Sequence, residues 1–133
     1  MSVRSYQDLD IWKKSMLLTK HIYQITENFP STERYRLTDQ LCRAAISVPS
    51  NIAEGSSRKS TKEFIRYIHI AYGSLAEMET QLLLACELGY LKQPLIQQHC
   101  KEISELGKMM NGLLKTLTTK LTELRTLNSE LIA

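Results

Sequence analysis

The sequence has few of the residues that interrupt helices or cross-link chains. Its 133 residues include five glycines, three prolines, two phenylalanines and three cysteines. Leucine, alanine, lysine and glutamate are plentiful instead, which is typical of an all-α protein. Cys42, Cys86 and Cys100 are odd in number, form no CxxC pair and lie among apolar residues in helical patterns. We therefore expect buried free thiols, and neither a redox pair nor a cysteine metal site.

Long apolar runs are also missing. No window approaches the roughly 18 to 20 uninterrupted apolar residues of a membrane span, and the start MSVRSYQDLDIW lacks the apolar run of a signal peptide. We expect a soluble, cytoplasmic protein without a membrane partner. Hydrophobic residues still make up 43% of the chain. This is enough for one core, so residues 1–133 are predicted to form a single domain.

The usual sequence motifs of catalysis are absent as well. The chain contains no GxSxG, HExxH, phosphate-loop or GxGxxG pattern. His21, His69 and His99 are isolated along the sequence, and the adjacent His99 and Cys100 diverge by about 100° on a helix, which does not suit one metal ion. The sequence therefore predicts no enzyme, no catalytic residue, no metal site and no cofactor.

A hydrophobic repeat of three and four residues runs along nearly the whole chain. It predicts four helices, at approximately 8–28, 36–55, 61–88 and 94–128. Gly55 is expected to end the second helix as a left-handed cap, and Gly89 to close the third. Ser60 and Glu63 form a capping box for the start of the third helix. The near-3.5 period and the short connections favour an antiparallel up-down-up-down four-helix bundle.

The stretch SVPSNIAEG places a proline and an asparagine inside the second helix. Pro49 removes one backbone amide and frees the carbonyl of Ala45, so we expect a kinked helix. The heptad rows place Asn51 on the inward seam, where it needs partners such as Ser47, Ser50 and the freed carbonyls. Four residues are interpreted as a motif that shapes the helix end without performing chemistry: Pro49, Asn51, Glu54 and Gly55.

Positive charge is concentrated in one part of the chain. From Arg34 to Arg66, seven basic residues stand against three acidic ones, whereas the whole chain has a net charge of +3. Hydroxyls and exposed amides at the start of the third helix can add hydrogen bonds to phosphate. We also expect Glu54 and Arg58 to pair across the turn. The candidate nucleic-acid contacts are Arg43, Arg58, Lys59, Lys62 and Arg66, and the alternative is a solvated basic turn without a ligand.

The helices carry more apolar surface than one bundle core needs, which suggests contacts between subunits. Gly73 lies in mid-helix, where glycine costs up to about 1 kcal/mol relative to alanine, and a close helix approach would explain it. The last turns, Leu121 to Leu131, either fray or pack on another copy. The candidate interface residues are Tyr6, Trp12, Tyr67 and Gly73.

The blocks YQDLDIWKKS and FPSTERYRLTDQLCRAAISVPSNIAEGSSRKSTKEFIRYIHIAYGSLAEMETQLLLACELGYL carry a resemblance. They are similar to a bacterial four-helix bundle family first noticed in intervening sequences of 23S ribosomal RNA genes. The match covers about Tyr6 to Leu91. This family resembles in turn the accessory variability determinant proteins of diversity-generating retroelements, which form a basic homopentameric barrel that binds nucleic acid and a reverse transcriptase. Arg43, Arg58 and Lys62 match basic positions of the family pattern.

The resemblance implies a function that the charge pattern is consistent with. We predict a non-enzymatic accessory protein that forms a ring, which the resemblance implies to be a pentamer. It is expected to bind nucleic acid, with RNA as the expected kind, without reading bases. Ribosomal RNA or a reverse transcriptase is the partner that the resemblance implies. The alternative is a protein-interaction scaffold with no nucleic-acid role.

Overall fold

The computed structural model describes residues 5–132. It contains four α-helices: α1 (Asp10–Thr26), α2 (Leu37–Ser57), α3 (Thr61–Glu87) and α4 (Gln93–Ile132). Short 3-10 turns at Tyr6–Asp8 and Ser31–Glu33 precede α1 and α2. No strand occurs within the described range. The predicted all-α class is therefore confirmed.

The four helices close into a ring in which each packs against two others. Between α1 and α2, Thr19 reaches the Ala45 carbonyl whereas the later Thr26 meets the earlier Cys42. The other three pairs of neighbouring helices show the same reversal of order. The contacts are Ser47–Ser74 and Arg58–Tyr67 for α2 and α3, Tyr72–Asn111 and Cys86–Gln93 for α3 and α4, and Lys14–Glu105 and His21–Glu102 for α1 and α4. Neighbouring helices thus run antiparallel, as the short connections predict.

A continuous apolar core lies along the centre of the bundle, and all four helices contribute to it. Each fully buried leucine or isoleucine contributes about 1.5–3 kcal/mol of transfer free energy. Residues with no exposed surface include Ile22, Leu41, Ile52, Ile68, Met78, Leu82 and Met110. This core fixes the helices against one another and thereby the side chains on their outer faces.

The left-handed cap predicted at Gly55 is wrong. Gly55 is a buried residue inside α2, which continues to Ser57. The left-handed residue is Lys59, with a φ of 57°. A Cβ atom placed on Gly55 would lie only 2.5 Å from Cβ of Tyr67. Glycine is therefore required here by the close approach of α2 to α3 and not by backbone conformation.

Pro49 does not split α2, and the backbone carbonyl that loses its helical hydrogen bond at this proline accepts one from elsewhere in the bundle. The Ala45 carbonyl, which loses its helical donor at Pro49, accepts a hydrogen bond from Thr19 Oγ1 of α1 at 3.0 Å. Asn51 Nδ2 donates to the carbonyl and to the hydroxyl of Ser47, at 2.8 and 2.9 Å. The predicted hydrogen bond between Asn51 and Ser47 is confirmed. The hydrogen bond from Thr19 to Ala45 is not among the predictions, because Thr19 lies on another helix.

The serine half of the predicted capping box and the predicted glycine end of α3 are present, whereas the Glu63 carboxylate bonds to Arg66. Ser60 Oγ accepts a hydrogen bond from the Glu63 amide at 3.2 Å, which is the serine half of the capping box. At the other end, Gly89 has a φ of 81° and its amide donates to the Cys86 carbonyl at 3.0 Å. This left-handed glycine stops α3 as the sequence indicates.

The fourth helix extends beyond the bundle core. α4 has 40 residues and passes the predicted end at residue 128. Leu114 is its last buried core residue, and Leu124, Leu127 and Leu131 expose 45, 52 and 76% of their surface. No helix in residues 5–132 is both long and apolar enough to cross a membrane.

Candidate nucleic-acid interface

Four of the predicted phosphate contacts lie together at the turn between α2 and α3. We call Arg58, Lys59, Lys62 and Arg66 the basic turn. The left-handed conformation of Lys59 reverses the chain, and Ser60 then caps α3. Lys62 and Arg66 are four residues apart on α3 and therefore share one face of that helix. The local sequence thus presents four cations within nine residues, beside the amide end of a helix.

The ring of Tyr67 orders the two arginines of the basic turn. The guanidinium carbons of Arg58 and Arg66 lie 5.5 and 4.6 Å from the centroid of this ring, within the range of a cation–π contact. Arg58 Nη2 also donates to the Tyr67 hydroxyl at 3.0 Å. Tyr67 itself packs against Gly55, so this glycine is what lets the tyrosine approach α2.

Two carboxylates hold the arginines in place. Arg58 donates to Glu54 at 2.6 Å, which is the predicted pair across the helix end, and Arg66 donates to Glu63 at 2.8 Å. The hydrogen bond to Glu54 is the largest cause that raises the pKa of Arg58. The hydrogen bond from Arg66 lowers the pKa of Glu63, and the positive charges of Arg58 and Lys62 lower it further. The Glu63 carboxylate is therefore held in its charged form by the cations around it.

The two lysines of the basic turn, unlike the arginines, are not held by carboxylates. Both Lys59 and Lys62 are exposed. Neither makes an ion pair with any residue in the described range. With four basic and two acidic side chains, this surface keeps an excess of positive charge, and the lysines supply it.

Arg43 is not part of this cluster. It precedes Arg58 by 15 residues, which corresponds to about 22 Å along α2. Its guanidinium is exposed and bonds to both oxygens of Asp39, at 3.1 and 3.2 Å. A polynucleotide would have to span several phosphates to contact Arg43 and the basic turn together.

The four residues predicted at an oligomer interface lie in different places. Tyr6 and Trp12 stack edge to face, with ring centroids 5.4 Å apart. Together with Met16, Tyr23 and Ile46, they line an open apolar groove between α1 and α2. Tyr67 belongs to the basic turn instead. Gly73 is exposed on α3, and a Cβ atom there would meet nothing within 4 Å.

Two histidines that are isolated in the sequence are neighbours in the fold. His21 of α1 and His99 of α4 have ring centroids 5.8 Å apart. The carboxylate of Glu102 lies between them, 2.7 Å from Nδ1 of His21 and 2.8 Å from Nδ1 of His99. The spacing of His99 and Glu102 predicts that these two share a helix face. Nothing local in the sequence indicates that His21 joins them.

The three cysteines are less buried than the sequence predicts. Cys42, Cys86 and Cys100 are free thiols and half-buried. Burial is the main cause that raises the pKa of Cys100, which keeps this sulfur in the thiol form at neutral pH. The thiolate form, which is the nucleophile, is thereby disfavoured at Cys100.

Comparison with known proteins places the chain among helical bundles linked by name to ribosomal RNA. The family described as 23S rRNA-intervening sequence protein matches residues 7–112. A solved structure of a protein of unknown function, from the S23 ribosomal protein family of Bacteroides thetaiotaomicron, superposes with a TM-score of 0.71 at 22% identity. The superposition covers 79% of this chain and 98% of the other. No curated protein matches.

Proposed function

We propose that this protein, which belongs to the 23S rRNA-intervening sequence protein family, is a non-enzymatic accessory factor that binds nucleic acid. The ligand is RNA in the first instance, and binding occurs through phosphates without readout of bases. The single observation that carries this proposal is the basic turn, in which four cations surround the capped start of α3.

The chemistry of the basic turn suits a phosphate backbone. Arg58 and Arg66 are held by Tyr67 and by one carboxylate each, so less conformational freedom is lost when they meet a phosphate. Lys59 and Lys62 have no competing ion pair in the described chain and can neutralise phosphates directly. Phosphate contacts fix position but carry no sequence information, so binding should tolerate any sequence.

Assembly into a homo-oligomer would multiply this surface. The apolar groove between α1 and α2 exposes Met16, Tyr23 and Ile46 by 45, 46 and 43%, which supports a contact with a second copy. Gly73 has no close intrachain neighbour, and an approaching helix of another subunit would explain its position. A closed ring, pentameric as in the resembling retroelement proteins, would present several basic turns to one strand and gain avidity.

Fluorescence anisotropy with a labelled single-stranded RNA of mixed sequence tests the proposal. At about 50 mM salt the wild type should bind, and the affinity should fall steeply toward physiological salt because counterions are released. The variant Arg58→Glu with Lys62→Glu should lose this binding while its helical circular dichroism is kept. A DNA strand of the same sequence measures the preference for RNA.

Arg43→Glu is the control for location, since it reverses one positive charge away from the basic turn, whereas the double variant reverses two. A loss restricted to the double variant locates binding at the turn, and an equal loss in Arg43→Glu would indicate a footprint along α2. Unchanged RNA binding in the double variant would overturn the proposed site.

The second candidate function is a scaffold whose ligand is another protein. The open apolar groove between α1 and α2 and the exposed leucines of the α4 extension favour it. This alternative predicts no binding to mixed RNA or DNA at about 50 mM salt and recovery of one specific protein in a pull-down. Substitution of Trp12 by alanine should then abolish recovery, whereas reversal of the basic turn should not.

A further inference from the structure

The seam between α1 and α4 carries a cluster of metal-ligating side chains that the nucleic-acid function does not use. His21 projects from α1, and His99 and Glu102 project from one face of α4. One nitrogen of each imidazole and one carboxylate oxygen lie within 4.8 Å of one another. Imidazole and carboxylate are ordinary ligands of Zn²⁺ and related divalent transition metals.

The hydrogen bonding of His99 leaves a buried nitrogen without a partner. Its Nδ1 faces the Glu102 carboxylate, which only accepts, so the proton of a neutral ring sits on Nδ1. Nε2 is then a buried acceptor, and no described residue donates to it. His99 as a whole is only 3% exposed. This nitrogen lies on the side of the ring away from Glu102, so a metal ion shared with Glu102 would be held through Nδ1, and the ring proton would then sit on Nε2.

We propose that His21, His99 and Glu102 bind one divalent transition metal ion, with Zn²⁺ as the reference case, and that the ion joins α1 to α4. Ligand atoms at about 2.0–2.1 Å from a tetrahedral Zn²⁺ lie about 3.4 Å apart. Small side-chain rotations from the present separations reach this spacing. Glu102 supplies one negative charge, and the two neutral imidazoles complete three protein ligands.

The position of the cluster indicates what binding would do. α1 and α4 are the first and last helices of the bundle and share its smallest helix-to-helix interface. Besides the cluster, the seam has an exposed ion pair, Lys14–Glu105, at 3.4 Å. Exposed pairs of this kind contribute little. An ion held by both helices would therefore add a cross-link between the first and the last helix. His21 and Glu102 are about one quarter exposed, which gives the ion a path from solvent.

Titration of the full chain with Zn²⁺, followed by isothermal calorimetry, tests the site. The wild type should bind one Zn²⁺ per chain. His21→Ala and Glu102→Gln should each weaken binding by more than the roughly 10- to 100-fold that loss of an outer partner of a ligand costs. His69→Ala is the matched control because His69 is exposed on α3, and it should leave the affinity unchanged. Equal affinity in all four proteins, or no saturable binding by the wild type, would overturn the proposal.

Two further measurements keep the test independent of folding defects and of thiols. Zn²⁺ should raise the melting temperature of the wild type and of His69→Ala but not of His21→Ala, whose circular dichroism confirms that it is folded. Co²⁺ should give the visible bands of a four-coordinate site, without the near-ultraviolet charge-transfer band of a cysteine ligand. Such a thiolate band, or loss of binding in Cys100→Ser, would contradict the three-residue site.

Discussion

The basic turn and the histidine cluster are two charged regions with opposite construction. At the basic turn, exposed cations outnumber carboxylates, and Tyr67 with Glu54 and Glu63 orients the arginines. On the seam of α1 and α4, one carboxylate lies between two imidazoles, and His99 is buried. The first region carries an excess of positive charge that can attract an anion. The second combines a carboxylate with two imidazole rings, which are groups that can bind a cation.

The two regions also depend on different pairs of helices. The basic turn depends on the close approach of α2 and α3 at Gly55. The histidine cluster depends on the packing of α1 against α4, at the other pair of helices. Distant sites without shared partners behave additively, so each region should be alterable without effect on the other.

Gly55→Ala should have the largest effect. Because the new Cβ would lie 2.5 Å from Cβ of Tyr67, α2 and α3 must shift apart. We expect a loss of about 1–3 kcal/mol in the free energy of unfolding, typical of overpacking. RNA affinity should fall too, since Tyr67 positions both arginines. Urea denaturation and anisotropy measure the two effects.

Gly73→Ala is the control for this substitution, because a Cβ at Gly73 meets nothing within 4 Å. In a monomer it should stabilise the helix by up to about 1 kcal/mol. A smaller oligomer by light scattering would show that another subunit approaches there. A Gly55→Ala variant as stable as Gly73→Ala would contradict the close approach of α2 and α3.

Glu102→Gln should have an intermediate effect, confined to the seam. It replaces a carboxylate that serves two imidazoles, so we expect a loss of about 1 kcal/mol in the free energy of unfolding without added metal. RNA affinity should be unchanged, and the loss should add to that of Gly55→Ala in the double variant. Non-additive losses, or weakened RNA binding, would show that the two regions are coupled.

Lys59→Gly should have the smallest effect on stability, and it tests whether Lys59 serves RNA binding or the structure of the basic turn. A left-handed conformation costs a lysine about 1–2 kcal/mol, whereas glycine adopts it freely at a conformational entropy cost of roughly 0.5–1 kcal/mol. We expect a gain of about 0.5 kcal/mol in unfolding free energy together with weaker RNA binding. A less stable variant with full RNA affinity would indicate that Lys59 is retained for structure.

The sequence predicted those parts of the structure that depend on neighbours along the chain. The helical repeat, the caps at Ser60 and Gly89 and the pair Glu54–Arg58 all involve residues within a few positions of one another. Four members of the basic turn were predicted for the same reason, since they fall in one short segment. Their role in binding stays a prediction.

Contacts between distant segments were not predictable in this way. Gly55 was misinterpreted because its neighbour Tyr67 belongs to another helix, and only packing reveals that no Cβ fits between them. Thr19 satisfies the carbonyl freed by Pro49 from across the α1–α2 interface. His21 and Glu102 are 81 residues apart, and their contact depends on how the ring of helices closes.

The salt dependence of RNA binding by Lys59→Gln with Lys62→Gln tests the central claim most directly. Neither lysine has an ion pair in the described chain, so the substitutions should leave the fold intact. The control is Lys101→Gln with Lys108→Gln, which changes the net charge equally on the exposed side of α4. For single-stranded RNA, the slope of log K against log salt should shrink by roughly 0.7 for each lysine of the turn, and remain unchanged in the control. Equal slopes in the turn variant and the wild type would contradict the assignment of the basic turn as the phosphate-binding surface.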